Sequence, residues 1–176
     1  KIMPRVKIDN RGLVQTAGNG PTELASGHKN TVILSGGGTT TLTAADSGAT
    51  CVFNVAAASN FTLPAPEKGM RFTFVNVITA TADHVIQAAT NDHGFLGGMT
   101  YTQLTSTAAD QCDSFSTATD GNNDFITLNG TTSGGVAGSV VHVAAILDSS
   151  AAKCWAVWGH QIATGVMVTP FGDAQL

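Results

Sequence analysis

Ions are scarce in this chain. Of 176 residues, only 11 % are Asp, Glu, Lys or Arg, against about 25 % in an average globular protein. Eight basic and twelve acidic residues leave a net charge of −4. That balance argues against a surface built to neutralise phosphate backbones, and no nucleic-acid partner is expected. Long apolar runs are also missing: stretches such as Val143 to Leu147 fall far short of the ~20 residues of a membrane-spanning helix, so no membrane partner is expected. The segment Lys1-Ile2-Met3-Pro4-Arg5 shows none of the apolar character of a secretory signal. Cysteine is rare and unpatterned. Cys51, Cys112 and Cys154 are odd in number and unrelated in spacing, which excludes a disulfide framework or a zinc motif and suggests reduced thiols in strands.

Helical periodicity is absent too. No 11-residue window carries an apolar stripe of period 3.6, and the Ala-rich patch Val55 to Ser59 is too short to make one. What fills the chain instead is Gly, Ala, Thr and Ser around short runs of Val, Ile, Thr and aromatics. Thr31–Ser35, Thr39–Thr43, Cys51–Val55, Asn60–Leu63, Met70–Thr79 and His84–Gln87 are such runs. Tyr101–Thr105, Asp124–Leu128, Ser139–Leu147, Lys153–Trp158 and Gly165–Thr169 continue the series. Most are closed by Gly, Asn, Asp, Ser or Pro, as strands are. The expected fold is all-β: a β-sandwich of about ten strands, jelly-roll-like, that being the commonest solution at this length.

Residues 1–30 have a different texture from residues 31–176. Lys1, Arg5, Lys7 and Arg11 hold half of the basic residues, and the turn formers Ala17-Gly18-Asn19-Gly20-Pro21 interrupt regular structure. An extended N-terminal arm with at most one short strand, joined to a sandwich domain, is expected.

Strand parity bears on function. In Ser139–Leu147, Val141, Val143, Ala145 and Leu147 fall on one face and Val140, His142, Ala144 and Ile146 on the other. A strand apolar on both faces is covered on both. Trp155 and Trp158, three apart on the next strand, face opposite ways. One indole fills the core and the other needs a second apolar partner, for which a subunit interface is the simplest supply. Val140, His142, Ile146, Trp155 and Trp158 are the interface candidates.

Catalytic patterns are not found. Gly36-Gly37-Gly38 lacks the Lys-Ser/Thr of a phosphate loop and reads as a turn. His28, His84, His93, His142 and His160 are scattered, and Asp83 and Asp92 lie beside His84 and His93 on alternating positions that point apart. Asp120-Gly-Asn-Asn-Asp124 has oxygen donors for Ca²⁺ but neither the spacing nor the terminal Glu of an EF-hand, and an Asx turn is the simpler reading. No catalytic residue, metal or cofactor is expected.

The stretch Leu42-Thr-Ala-Ala-Asp-Ser-Gly48, Phe53, Asn60-Phe-Thr-Leu-Pro64, Gly69 and Arg71-Phe-Thr-Phe-Val75 resembles a pattern in tailed-bacteriophage virion proteins, among them capsid decoration (cement) proteins. Ile126-Thr-Leu-Asn-Gly130, Gly138-Ser-Val-Val-His142 and Trp155-Ala-Val-Trp-Gly159 are similar to its closing part, so the resemblance covers roughly residues 42–159. It implies a structural role on the outside of a phage head, with the major capsid protein as partner, assembly in the host cytoplasm and a homotrimer over threefold positions. The basic arm, Lys1, Arg5, Lys7 and Arg11, would then reach along an acidic shell. The alternative is a receptor- or carbohydrate-binding domain of a head or tail fibre, which predicts exposed loop aromatics such as Phe95, Tyr101 or Trp158.

Overall fold

The structure, a computed structural model, describes residues 5–9, 12–17, 20–22, 31–104, 112–119 and 123–173. The chain divides into two compact units, Lys1–Asn30 and Thr31–Leu176. The first holds β1 (Arg5–Asp9), β2 (Gly12–Ala17) and β3 (Gly20–Thr22), paired antiparallel in that order. Composition suggests one strand here at most. Three are present, with Asp9 opposite Gly12 and Ala17 opposite Gly20 as closely spaced antiparallel neighbours.

The second unit runs β4 (Val32–Leu34), β5 (Gly38–Thr41), a 3₁₀ turn (Ala44–Asp46), β6 (Thr50–Phe53), β7 (Ser59–Thr62), β8 (Arg71–Asn76) and β9 (His84–Gln87). It continues with β10 (Gly94–Gln103), β11 (Cys112–Ser116), β12 (Phe125–Leu128), β13 (Val140–Ala145), β14 (Lys153–Ala163) and β15 (Phe171–Gly172). Two sheets result, a seven-stranded one of order β11-β10-β14-β13-β8-β6-β4 and a five-stranded one of order β15-β12-β9-β7-β5. The body is thus the all-β, two-sheet sandwich that the sequence implies.

The sheets are mixed, where a jelly roll would be antiparallel. From β4 to β9 the chain alternates between sheets, so β4, β6 and β8 lie parallel in one and β5, β7 and β9 parallel in the other. Parallel neighbours need a crossover of a dozen or more residues, usually a helix. Here the crossover is a strand of the facing sheet. The result is a three-turn, two-sheet coil whose paired positions advance from 18 residues (Val32 to Thr50) to 25 (Ser59 to His84). The second half closes against it: β13 pairs antiparallel with β8 and β14, β12 with β9, and β10 runs parallel to β14.

The corners explain several of the small and turn-forming residues. Gly36, Gly37 and Gly38 have φ of 61°, 85° and 81°, a left-handed path that side chains resist. They carry the chain from one sheet to the other as a turn. The Asp46 carboxylate accepts from Thr43 N (2.8 Å) and Thr43 Oγ1 (2.7 Å), which closes the 3₁₀ corner and holds its pKa below the usual carboxylate range. Glu67 O accepts from Met70 N at 3.1 Å, so Glu67 to Met70 form a tight turn that leads into β8.

The core lies between the sheets. Phe61, fully buried, touches Phe53 edge-on at 5.1 Å and Phe74 at 5.5 Å, and Phe72 lies 6.1 Å from Trp155. A plug closes one end. Asn129 Oδ1 accepts from the N–H groups of Thr131, Thr132 and Ser133. Tyr101 donates its hydroxyl to Ser133 O at 3.1 Å, and Gln161 Oε1 accepts from Gly135 N at 3.2 Å. A loop rich in Gly, Thr and Ser is thereby held with its backbone satisfied.

Replacing Phe61 with Ala is expected to destabilise the fold by roughly 3–5 kcal/mol, the usual loss for a buried aromatic that leaves a cavity. A denaturant midpoint compared with that of the wild type checks this.

Candidate functional site

Alternation puts Phe72 and Phe74, Val141 and Val143, and Trp155 and Val157 on the core side of the seven-stranded sheet. The intervening residues form its outer face. Register aligns them in rows across the strands. One row runs Leu34, Val52, Val75, Val140, His160, Thr100, Ser114. The next runs Val32, Thr50, Thr73, His142, Trp158, Gly98, Ser116. A third joins Arg71, Ala144, Ala156 and Leu96, and Arg71 is the single ionic residue in these three rows. Val32 is 60 % exposed, Leu34 55 % and Trp158 49 %. The face is apolar near β4 and turns to hydroxyls and imidazoles near β11.

On that second side lies an open groove of about 700 Å³, lined by Gly97 to Thr100, Ser114 to Ser116, Val140, His142 and Trp158 to His160. Trp158 stacks on His142 with ring centroids 5.5 Å apart and planes 21° from parallel. His142 Nδ1 is hydrogen-bonded to Thr73 Oγ1 at 3.1 Å. Thr100 Oγ1 donates to Gly159 O at 3.3 Å. The floor is bare because the strands approach too closely for side chains. A Cβ on Gly97 would lie 2.0 Å from Val157 O, and one on Gly98 2.7 Å from Phe115 O. Gly97 also has φ of 138°, a conformation open to glycine.

The interface candidates separate. Val140, His142 and Trp158 lie on the outer face, the last two side by side. Ile146 is exposed just past the end of β13. Trp155 does not belong with them: it is fully buried against Phe72. It is the core indole of the pair, out of reach of another subunit. Leu147, read as inward, is 41 % exposed because β13 ends at Ala145 and the chain turns through Asp148. Of the loop aromatics proposed for sugar binding, Phe95 and Tyr101 are buried in strand β10, and Trp158 alone is open. Among the arm candidates, Lys1 and Arg11 lie outside the described residues, and Arg5 and Lys7 lie on β1. The groove's Gly97-Gly98 pair and the hydroxyls of β11 were missed in the sequence. Glycine inside a Met- and Tyr-bearing run was the available signal of a close backbone approach.

Other candidate chemistry is absorbed by the fold. His28, Asp120, Gly121 and Asn122 lie outside the described residues; Asn123 Oδ1 accepts from Ala118 N at 2.6 Å. Among the described residues, no three of His, Cys, Asp and Glu converge on a metal-sized site, and no helix is long and apolar enough to cross a membrane. Cys51, Cys112 and Cys154 are free thiols, and burial pushes the Cys51 thiol up to about 12. His84 is fully buried and stacks on Phe53 at 4.5 Å. Asn76 Nδ2 donates to its Nδ1 at 2.7 Å, so the ring proton sits on Nε2, which donates to Val55 O at 2.9 Å. This is a structural histidine held in its neutral form.

No protein-family model matches the chain, and no curated protein matches it.

Burial lowers the pKa of His84, against the opposing pull of the Val55 and Ala57 carbonyls and of Asp83. A folded-state pKa below the unfolded value means that the unfolded chain takes up the proton first. The contribution is therefore fully present above about pH 6.5. It declines as the pH falls below that value and levels off below the folded-state pKa. Urea midpoints measured from pH 8 to pH 5 are expected to fall over this window, and His84→Gln is expected to remove that part of the slope.

Proposed function

We propose that the protein is a structural component of a virion: a decoration, or cement, protein that binds the outside of a phage head and ties neighbouring capsomers together. The observation that carries this reading is the β4 side of the outer sheet face, where Leu34, Val52 and Val75 line up beside exposed Val32 and where Arg71 is the single ionic residue of the three aligned rows. Exposed apolar patches of that kind mark contacts with other molecules. The virion-like pattern of residues 42–159 supports the same reading. The contact with the major capsid protein, or with other copies in a trimer, runs over this side and on to Val140 and Ile146. His142 and Trp158 belong to the groove, which a flat sheet contact leaves unfilled. The role is adhesive rather than enzymatic, and the place is the capsid surface after assembly in the host cytoplasm.

Size gives the arm a part. The four strands β4, β6, β8 and β13, at about 4.8 Å spacing and six residues of about 3.3 Å, make a contact of roughly 400 Å². A stable complex covers about 800 Å² per partner. The arm, with Lys1, Arg5, Lys7 and Arg11 against an acidic shell, supplies the remainder and ties the two contacts into one chain.

Two variants test the reading. Val32→Asp combined with Leu34→Asp places charge on exposed positions, so the thermal midpoint is expected to stay within a few degrees while shell binding is lost. Deletion of residues 1–30 is expected to abolish capsid occupancy and leave a soluble oligomer in sedimentation. Undiminished occupancy of purified shells by both variants rejects the proposal.

A further inference from the structure

The groove around Trp158 has no role in a cement contact, and its chemistry is specific. In the row Trp158, Gly98, Ser116 the middle position has no side chain. A slot roughly 10 Å wide, two strand spacings, therefore separates the indole from the Ser116 hydroxyl. Thr100 and Ser114, both exposed, border the slot one row further along, and His160 lies opposite Thr100. None of the residues lining the groove is Lys, Arg, Asp or Glu. A half-exposed indole backed by an imidazole, facing hydroxyls across a bare floor, presents one flat apolar surface and a rim of hydrogen-bonding groups.

We infer that this groove binds a neutral saccharide. A pyranose ring has the complementary pair of surfaces: an apolar face of C–H groups to lie on Trp158, and an edge of hydroxyls to meet Ser114, Ser116, Thr100 and His160. Its volume of about 700 Å³ falls within the roughly 300–1,000 Å³ of small-ligand sites. The charge balance selects among ligands. Without Lys or Arg in the lining, and on a chain of net charge −4, a phosphate, sulfate or sialic acid has no guanidinium or ammonium partner to meet. Lipid is disfavoured by the hydroxyl rim, which would have to be dehydrated without partners. The inference stands apart from the cement reading, because it uses the β11 side of the face and leaves the β4 side and the arm untouched.

Tryptophan emission supplies the test. Trp155 is buried and Trp158 half exposed, so the two indoles of the full chain are distinguishable by acrylamide quenching. Neutral oligosaccharides of glucose, galactose, mannose and N-acetylglucosamine are titrated to ~10 mM, beside sialylated and sulfated counterparts. At least one neutral sugar is expected to shield the exposed indole saturably. Trp158→Ala is expected to weaken its binding, measured calorimetrically, by about tenfold or more. Ser116→Phe, placed on an exposed edge-strand position so that folding is retained, is expected to fill the slot and block binding as well. The inference is overturned by any of four results: no saturable response to a neutral sugar, undiminished binding to Trp158→Ala, preference for the anionic series, or a Trp158 already shielded in the free protein. Capsid occupancy of the same two variants is expected to equal that of the wild type, which separates this failure from failure of the cement reading.

Discussion

Two parallel strands that are to lie side by side need a return path, and the return path needs a surface to cover. Among the described residues there are no amphipathic helices, which usually provide it. From β4 to β9 the chain returns through the opposite sheet, so each strand is both a ladder member and the crossover for its neighbours. Backbone pairing and core formation are then one event: Phe53 on β6, Phe61 on β7 and Phe74 on β8 meet because successive crossovers bring them to the same interior. The strands of the second half extend this scaffold, β13 on β8 and β12 on β9.

Among the described residues of the second unit, the same economy leaves the seven-stranded sheet covered on one side only. In an all-antiparallel sandwich the outer positions usually turn polar. Here they stay apolar at Val32, Leu34, Val52, Val75 and Val140, and become hydroxyl-bearing at Thr100, Ser114 and Ser116. A single face thus offers two surfaces of different chemistry. The apolar side suits a protein neighbour, and the side with Trp158 standing above glycines suits a small ligand that carries its own hydroxyls.

Part of this is legible in the amino-acid order. Alternation in β13 identifies Val141 and Val143 as inward and Val140 and His142 as outward, because period-two patterning is local and needs no knowledge of partners. The turn at Gly36–Gly38 is legible because it, too, is a local feature. The two-sheet coil is not: its paired positions drift from 18 to 25 residues apart, so no fixed repeat appears. Nor does spacing tell which of Trp155 and Trp158 is the core indole. That choice depends on the register with β13, which sets Trp155 opposite Ala145 on the core side and Trp158 opposite His142 on the outer side. The groove is an assembly of β10, β11, β13 and β14, and its decisive position, Gly98, signals by having nothing to show.

The parallel ladder of β10 on β14 joins residues about sixty positions apart, Gly94 to Lys153 and Gln103 to Ala163. On a ribosome making ~5–20 residues per second, β10 emerges roughly three to twelve seconds before its partner. During that interval the coil of β4 to β9 is already complete in sequence, while Phe95, Met99 and Tyr101 have no sheet to enter. Closure of so long a loop is slow in any case. The nascent chain therefore passes through a stage with a finished front half and a sticky β10–β11 pair not yet joined to its sheet, a stage in which crowding by sister copies on one polysome carries its greatest hazard.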